Sequence, residues 1–178
     1  DAATYLYAGM VTDTNRFMYI NDQNASKTFL AASYVLRYQP SIQKIYDYLY
    51  TESLEKRKIK QMFQSFELTP HYVAYRKNTH EILLKSKLDF QSVSRGMVNL
   101  MSGIKEVMIW ASFTEDQVRN VVIAELRSRN ISIVDIAQNY GGGGHAQACG
   151  ATLKNFDEAD LMLKDLDERA KQYAKNIR

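Results

Sequence analysis

A chain of 178 residues that is 46% hydrophobic and 24% charged has the composition of a globular protein, one ordinary domain or two small ones, which excludes a disordered or fibrous chain. Its 23 Lys and Arg against 20 Asp and Glu leave +3, too small a surplus to argue for non-specific binding to nucleic acid. The single cysteine, Cys149, excludes an intrachain disulfide and fits a reducing, cytoplasmic setting, and no apolar run approaches the roughly 18 residues that a membrane helix needs.

No signal peptide is read at the start, and a chain that opens on Asp1 rather than Met is expected to lack an upstream segment. Residues 2–14 carry apolar side chains at Ala3, Leu6, Tyr7 and Met10, a spacing that favours a helix over a buried strand. That element runs into Val11-Thr12-Asp13-Thr14-Asn15-Arg16-Phe17, where Asp13 reads either as a ligand for a hard cation or as a helix-terminal aspartate. Residues 17–20 are expected as a short strand, and Asn21-Asp22-Gln23-Asn24 as a turn. A helix follows over 25–38, with Phe29, Ala32, Val35 and Leu36 on one face. Pro40-Ser41 breaks it, and Ser41 caps a helix over 42–50. After Thr51-Glu52-Ser53 a basic helix continues over 54–64; its run Glu55-Lys56-Arg57-Lys58-Ile59-Lys60 is read as a solvated face, since a nucleic-acid patch would have interleaved aromatics.

The pattern then changes to an alternation of strands and helices, the mark of an α/β (α+β) fold. A strand is expected over 71–75, a capping-box helix over 79–86 and a second helix over 89–101 with Val93, Met97, Val98 and Met101 buried. Strands over 106–113 and 118–127, joined by a turn at 114–117, form a hairpin. Ser132 caps a helix over 133–140, residues 148–153 form a strand, and Asn155 or Asp157 caps a last helix to about residue 175 with Phe156, Leu161, Leu163 and Leu166 inward. His71 and His80 read as surface or structurally satisfied histidines, remote from any carboxylate cluster.

Four of the eight glycines stand together as Gly141-Gly142-Gly143-Gly144, followed at once by His145. Consecutive amides with no Cβ in the way form a concave donor surface suited to an anion, and the imidazole adds a donor beside it. The same run also reads as a flexible turn closing the preceding helix. It is not a Walker-type loop, and although it fits G-x-G-x-x-A, its order of helix, loop and strand is wrong for a dinucleotide fingerprint.

The blocks Gly9-Met10-Val11-Thr12-Asp13-Thr14-Asn15-Arg16-Phe17 and Gly141-Gly142-Gly143-Gly144-His145-Ala146-Gln147-Ala148-Cys149-Gly150 together resemble the DHH/DHHA1 phosphoesterases, most nearly the oligoribonucleases that also dephosphorylate 3′-phosphoadenosine-5′-phosphate. The resemblance spans nearly all of residues 1–160. It implies the C-terminal part of a DHH domain over 1–39, a helical linker over 40–65, and a DHHA1 substrate-binding domain over 66–178, with a mixed sheet flanked by helices. It implies that Asp13 is a catalytic ligand of a two-manganese site and that Arg16 lies near the metal and phosphate. Gly142, Gly143, Gly144 and His145 would hold the substrate phosphate, His145 also stabilising charge in the transition state, and Arg127 and Ser128 would contact the nucleotide. The substrates implied are short single-stranded RNA and nucleotide phosphates. The Asp-rich and Asp-His-His motifs of the family do not occur, since none of His71, His80 and His145 follows an aspartate. The chain is therefore expected to be a C-terminal part that lacks the N-terminal DHH half and the metals, with little activity alone. A cyclic-dinucleotide phosphodiesterase and a metal-free nucleotide- or RNA-binding module remain as alternatives.

Overall fold

Ala3, Tyr7 and Val11 are buried at four-residue intervals, and that spacing closes the first helix, α1 (Ala2–Asp13). The computed structural model describes residues 2–176 and divides between Ser53 and Leu54 into two units. In the first, α1, α2 (Ala25–Leu36) and α3 (Ile42–Tyr50) pack around Tyr7, Val11, Ala32 and Ile45. Phe29, expected on the buried face, is 52% exposed and stacks on Phe17 at 5.4 Å instead.

Residues 17–20 form no strand. Thr14 donates its hydroxyl to the Met10 carbonyl and accepts the Phe17 N–H, while the Arg16 N–H returns to the Val11 carbonyl. These local bonds hold Asn15, Arg16 and Phe17 in the left-handed region (φ 47°, 61° and 65°), where an extended strand cannot start.

The second unit begins with α4 (Leu54–Met62), so the stretch expected as a linker is shared: Ile45 of α3 belongs to the first core, and Ile59 of α4 packs with Phe63, Val93 and Met97 in the second unit. Its sheet has the order β1 (Glu67–Leu68), β2 (Val73–Asn78), β3 (Ile109–Asp116), β4 (Val121–Ser128), β6 (Ala148–Leu153), β5 (Gly143–His145). β2 and β3 run parallel, and every other neighbour pair is antiparallel. The parallel pair is joined through α5 (His80–Ser86) and α6 (Phe90–Ser94), the crossover that parallel strands need. The expected single helix over 89–101 breaks at Gly96, whose backbone comes so close to Ser92 that a Cβ would lie 2.3 Å from that carbonyl oxygen; a 3-10 turn over Val98–Met101 completes it. The hairpin turn lies three residues later than expected, because Asp116 accepts the N–H groups of Val118 and Arg119 and fixes the bend there.

Side chains alternate across the sheet. Val122, Ala124 and Leu126 of β4 and Cys149, Ala151 and Leu153 of β6 face one main core, closed by Ile136 and Ala137 of α7 (Val134–Asn139) and by Ala159, Met162, Leu163 and Leu166 of α8 (Phe156–Asn176). Each of these large side chains contributes about 1.5–3 kcal/mol by leaving water. Leu161, expected inward, is 54% exposed, one position off the buried stripe. On the opposite face, Ala74 and Trp110 pack with Val98, Met101 and Val107.

His71 is a structurally satisfied histidine, as expected, with a single carboxylate partner among the described residues. Asp167 of α8 accepts its backbone N–H (2.9 Å) and meets its Nδ1 (2.8 Å), tying the β1–β2 turn to the last helix. Burial opposes the charge on Asp167, but hydrogen bonds from Thr69 and His71 outweigh it and hold the carboxyl below its ordinary 3.8. A carboxylate depressed in the fold contributes stability that is present above the ordinary value and lost as the pH falls through the folded one. Asp167→Asn is expected to cost about 1–3 kcal/mol at neutral pH and little in acid, which urea unfolding at pH 7 and pH 3 will check.

Candidate functional site

The second face of β4 and β6 is mostly polar or bare. Ile123, Glu125 and Arg127 point there from β4, and Gly150 and Thr152 from β6. A cavity of about 560 Å³ opens on it, bounded by Arg95, Arg119, Glu125, Arg127, Gly142 and Gly143. That volume lies in the range of small-molecule sites.

The arginines arrive from three places. Arg127 is on β4 and donates from Nη1 to the Leu126 carbonyl (2.8 Å) and from Nη2 to Glu125 Oε2 (3.2 Å). Arg95 follows α6 and donates from Nε to Glu125 Oε1 (3.0 Å). Arg119 lies in the β3–β4 turn, with Nε on Asp116 Oδ2 (2.6 Å), and that hydrogen bond holds the Asp116 carboxyl below its ordinary range. Guanidinium groups outnumber carboxylates on this wall, so the cavity favours an anion, and their planar donor forks match phosphate oxygens.

The glycines form the opposite rim, and each has its own reason. Gly141 sits at φ 72° just past α7 and closes that helix in the left-handed conformation. A Cβ at Gly142 would lie 2.1 Å from the Gly150 carbonyl oxygen; at Gly144, with φ 135°, one would lie 2.7 Å from that of Ala148. Gly143 meets nothing within 4 Å and has no left-handed φ, so the fold itself does not require a glycine there. The run is thus not a loop throughout, because Gly143–His145 forms the edge strand β5. Its base is fixed from α8, where Arg169 binds both Asp135 and the Ser132 carbonyl beside α7.

Of the residues singled out in the sequence, Arg127, Gly142 and Gly143 meet at this cavity. Gly144 and the exposed His145 lie on the same edge strand, outside the cavity wall. Ser128 points to the other side of the sheet, buried, with its hydroxyl donated to the Ile131 carbonyl. Asp13 ends α1 in the first unit, exposed, and the Arg16 guanidinium sits 4.9 Å above the centre of the Tyr50 ring. Arg95, Arg119 and Glu125 were not singled out. The alternation Glu125-Leu126-Arg127 on a strand was a signal that Glu125 shares a face with Arg127; Arg95 and Arg119 have no local signal. Burial pushes the Cys149 thiol up to about 11, which keeps it protonated and unreactive at neutral pH.

Among the described residues no three His, Cys, Asp or Glu side chains gather as a metal-ligating group. Asp13 is a single carboxylate, so these residues by themselves do not fit a pair of manganese ions, which need several ligands. No helix among the described residues is long and apolar enough to cross a membrane.

Residues 83–172 match the DHHA1 domain family. The chain belongs to that family. It is 35% identical over 172 residues to the bifunctional oligoribonuclease and PAP phosphatase NrnA of Mycoplasma pneumoniae, covering 94% of this chain and 50% of that protein. It is 31% identical over 175 residues to the NrnA of Bacillus subtilis, covering 97% and 54%. Among solved structures it is similar to an exopolyphosphatase-related protein from Bacteroides fragilis, with a TM-score of 0.80 and 25% identity, covering 97% of this chain and 51% of that one. The chain spans about half the length of these relatives. The DHHA1 match includes every residue named on the cavity wall.

The glycines of this DHHA1 domain differ in what the fold requires of them. Gly142→Ala is expected to destabilise by about 1–3 kcal/mol through overpacking. Gly143→Ala is expected to stay within about 0.5 kcal/mol of the parent. Thermal unfolding of both variants will check the contrast.

Proposed function

We propose that this chain is the substrate-gripping part of a phosphoesterase that hydrolyses short RNA oligonucleotides to mononucleotides and dephosphorylates 3′-phosphoadenosine-5′-phosphate. The observation that carries the reading is the placement of Arg127 across from Gly143, a glycine the fold does not need, on a cavity rich in guanidinium. A ligand's close approach is the physical use left for that bare position. The names of the relatives, oligoribonuclease and PAP phosphatase, fit an anionic nucleotide in it.

In this reading Arg127 holds a phosphate by paired N–H donors, and the missing Cβ of Gly143 lets the substrate backbone lie against the edge of the sheet. His145, exposed two residues further along the same strand, supplies an imidazole donor to charge developing on the phosphoryl oxygens. Manganese chemistry requires ligands beyond Asp13 that this sequence does not contain, and Asp13 and Arg16 would contribute to that centre.

The test is manganese-dependent release of mononucleotides from short labelled RNA, and of phosphate from 3′-phosphoadenosine-5′-phosphate, by the protein extended to the full length of its relatives. The 178-residue chain is expected to bind both without turnover. His145→Ala in the longer protein is expected to lower kcat by about 10²–10³, the usual loss for one charge-stabilising donor. A rate near that of the parent removes the role given to His145. Hydrolysis of a cyclic dinucleotide but not of linear RNA overturns the substrate assignment.

A further inference from the structure

Glu125 is the one carboxylate on a cavity wall that carries three arginines. It is 8% exposed, and each of its oxygens receives a different guanidinium, Oε1 that of Arg95 and Oε2 that of Arg127. In a pocket that worked by positive charge alone, this carboxylate would be a double liability: it costs desolvation, and it cancels part of the attraction for an anion. Its geometry supplies the compensation. Arg127 is fixed at Nη1 by the Leu126 carbonyl and at Nη2 by Glu125. Arg95 has an exposed side chain, 69% accessible, and Glu125 takes only its Nε. Among the described residues no acceptor lies on Arg95 Nη1 or Nη2, so the terminal fork is free while its stem is held.

We propose that Arg95 is a further phosphate-binding residue and that Glu125 is the positioning residue that aims Arg95 and Arg127 at a single phosphate of the nucleotide substrate. This rests on the reading of the cavity as the nucleotide site. One carboxylate bridging two arginines fixes the distance between them, and leaves the free fork of Arg95 to take a tetrahedral anion in the cavity. Pre-arranged donors give up less rotamer freedom when the ligand arrives, and that saving exceeds the attraction lost to the carboxylate's charge.

The two accounts of Glu125 predict opposite signs. Glu125→Gln raises the positive charge of the cavity by one, so a pocket that acts by charge alone binds phosphate more tightly. A positioned pair binds it more weakly, and Glu125→Asp, which keeps the carboxylate, recovers part of the loss. Calorimetric titration of the full chain with 3′-phosphoadenosine-5′-phosphate and with adenosine measures both. The expected result is that Arg95→Ala and Glu125→Gln each weaken binding of the bisphosphate about tenfold or more, the worth of one charge-assisted hydrogen bond, and leave adenosine unchanged. Arg95→Lys, which keeps the charge but loses the fork, is expected to stay weak. Tighter binding by Glu125→Gln, or an Arg95→Ala variant that binds like the parent, overturns the inference and leaves the nucleotide site standing. A parent chain that does not bind the bisphosphate overturns both. Arg95 is exposed and its removal leaves the core untouched, so that variant decides the matter even where Glu125→Gln fails to fold.

Discussion

The second unit depends on how closely three stretches of backbone approach one another. Gly142 stands where a Cβ would lie 2.1 Å from the Gly150 carbonyl oxygen, and Gly150 where one would lie 2.5 Å from that of Ala124. The end of α7, β6 and β4 are therefore stacked at distances that no side chain permits. This contact lays the glycine run along the edge of the sheet next to β6, two strands from Arg127 on β4. A residue larger than glycine at either position would push the rim away from the arginines and open the cavity to a flat surface.

The alternation of the sheet does the rest. One face carries the main apolar core from β2 to β6, with Lys77 and the buried Ser128 at its margins, and is sealed by α7 and α8. The other is sealed only over β2 and β3, by Ala74, Trp110 and the 3-10 turn, and there a buried polar cluster in which Asn78 donates to Ser112 and Thr114 completes the packing. Over β4 and β6 that side is left partly open, with α6 at its margin, and the charged residues of β4 form the floor of the cavity. Burying Glu125 there would be costly without partners, and the arginines that satisfy it are two of the three that give the cavity its charge.

Much of the architecture was legible because its causes are local. The helix of residues 2–14, the strand 148–153 and the long last helix follow from apolar spacing, and the end of α7 follows from a glycine that takes φ 72°. The failures also have local causes of a kind that hydropathy does not record. Thr14 spends its hydroxyl on backbone groups and winds residues 15–17 left-handed, Gly96 splits one apolar helix in two, and Asp116 moves a turn by accepting two amides. Apolar spacing says which side of an element is buried, but not where side-chain hydrogen bonds compete with its backbone.

The sequence by itself determined the class of fold, the strand that carries Glu125 and Arg127 on one side, and the glycine run that marks a place of close approach. Those are properties of neighbouring residues, set by period and by the conformational range of glycine. Only the tertiary structure decided that Gly142 and Gly144 serve packing while Gly143 faces open space, that Ser128 lies behind the sheet, and that Arg95, from a helix about thirty residues upstream, shares a carboxylate with Arg127. Such pairings depend on which faces the sheet leaves uncovered once its core has closed, and no spacing along the chain encodes that.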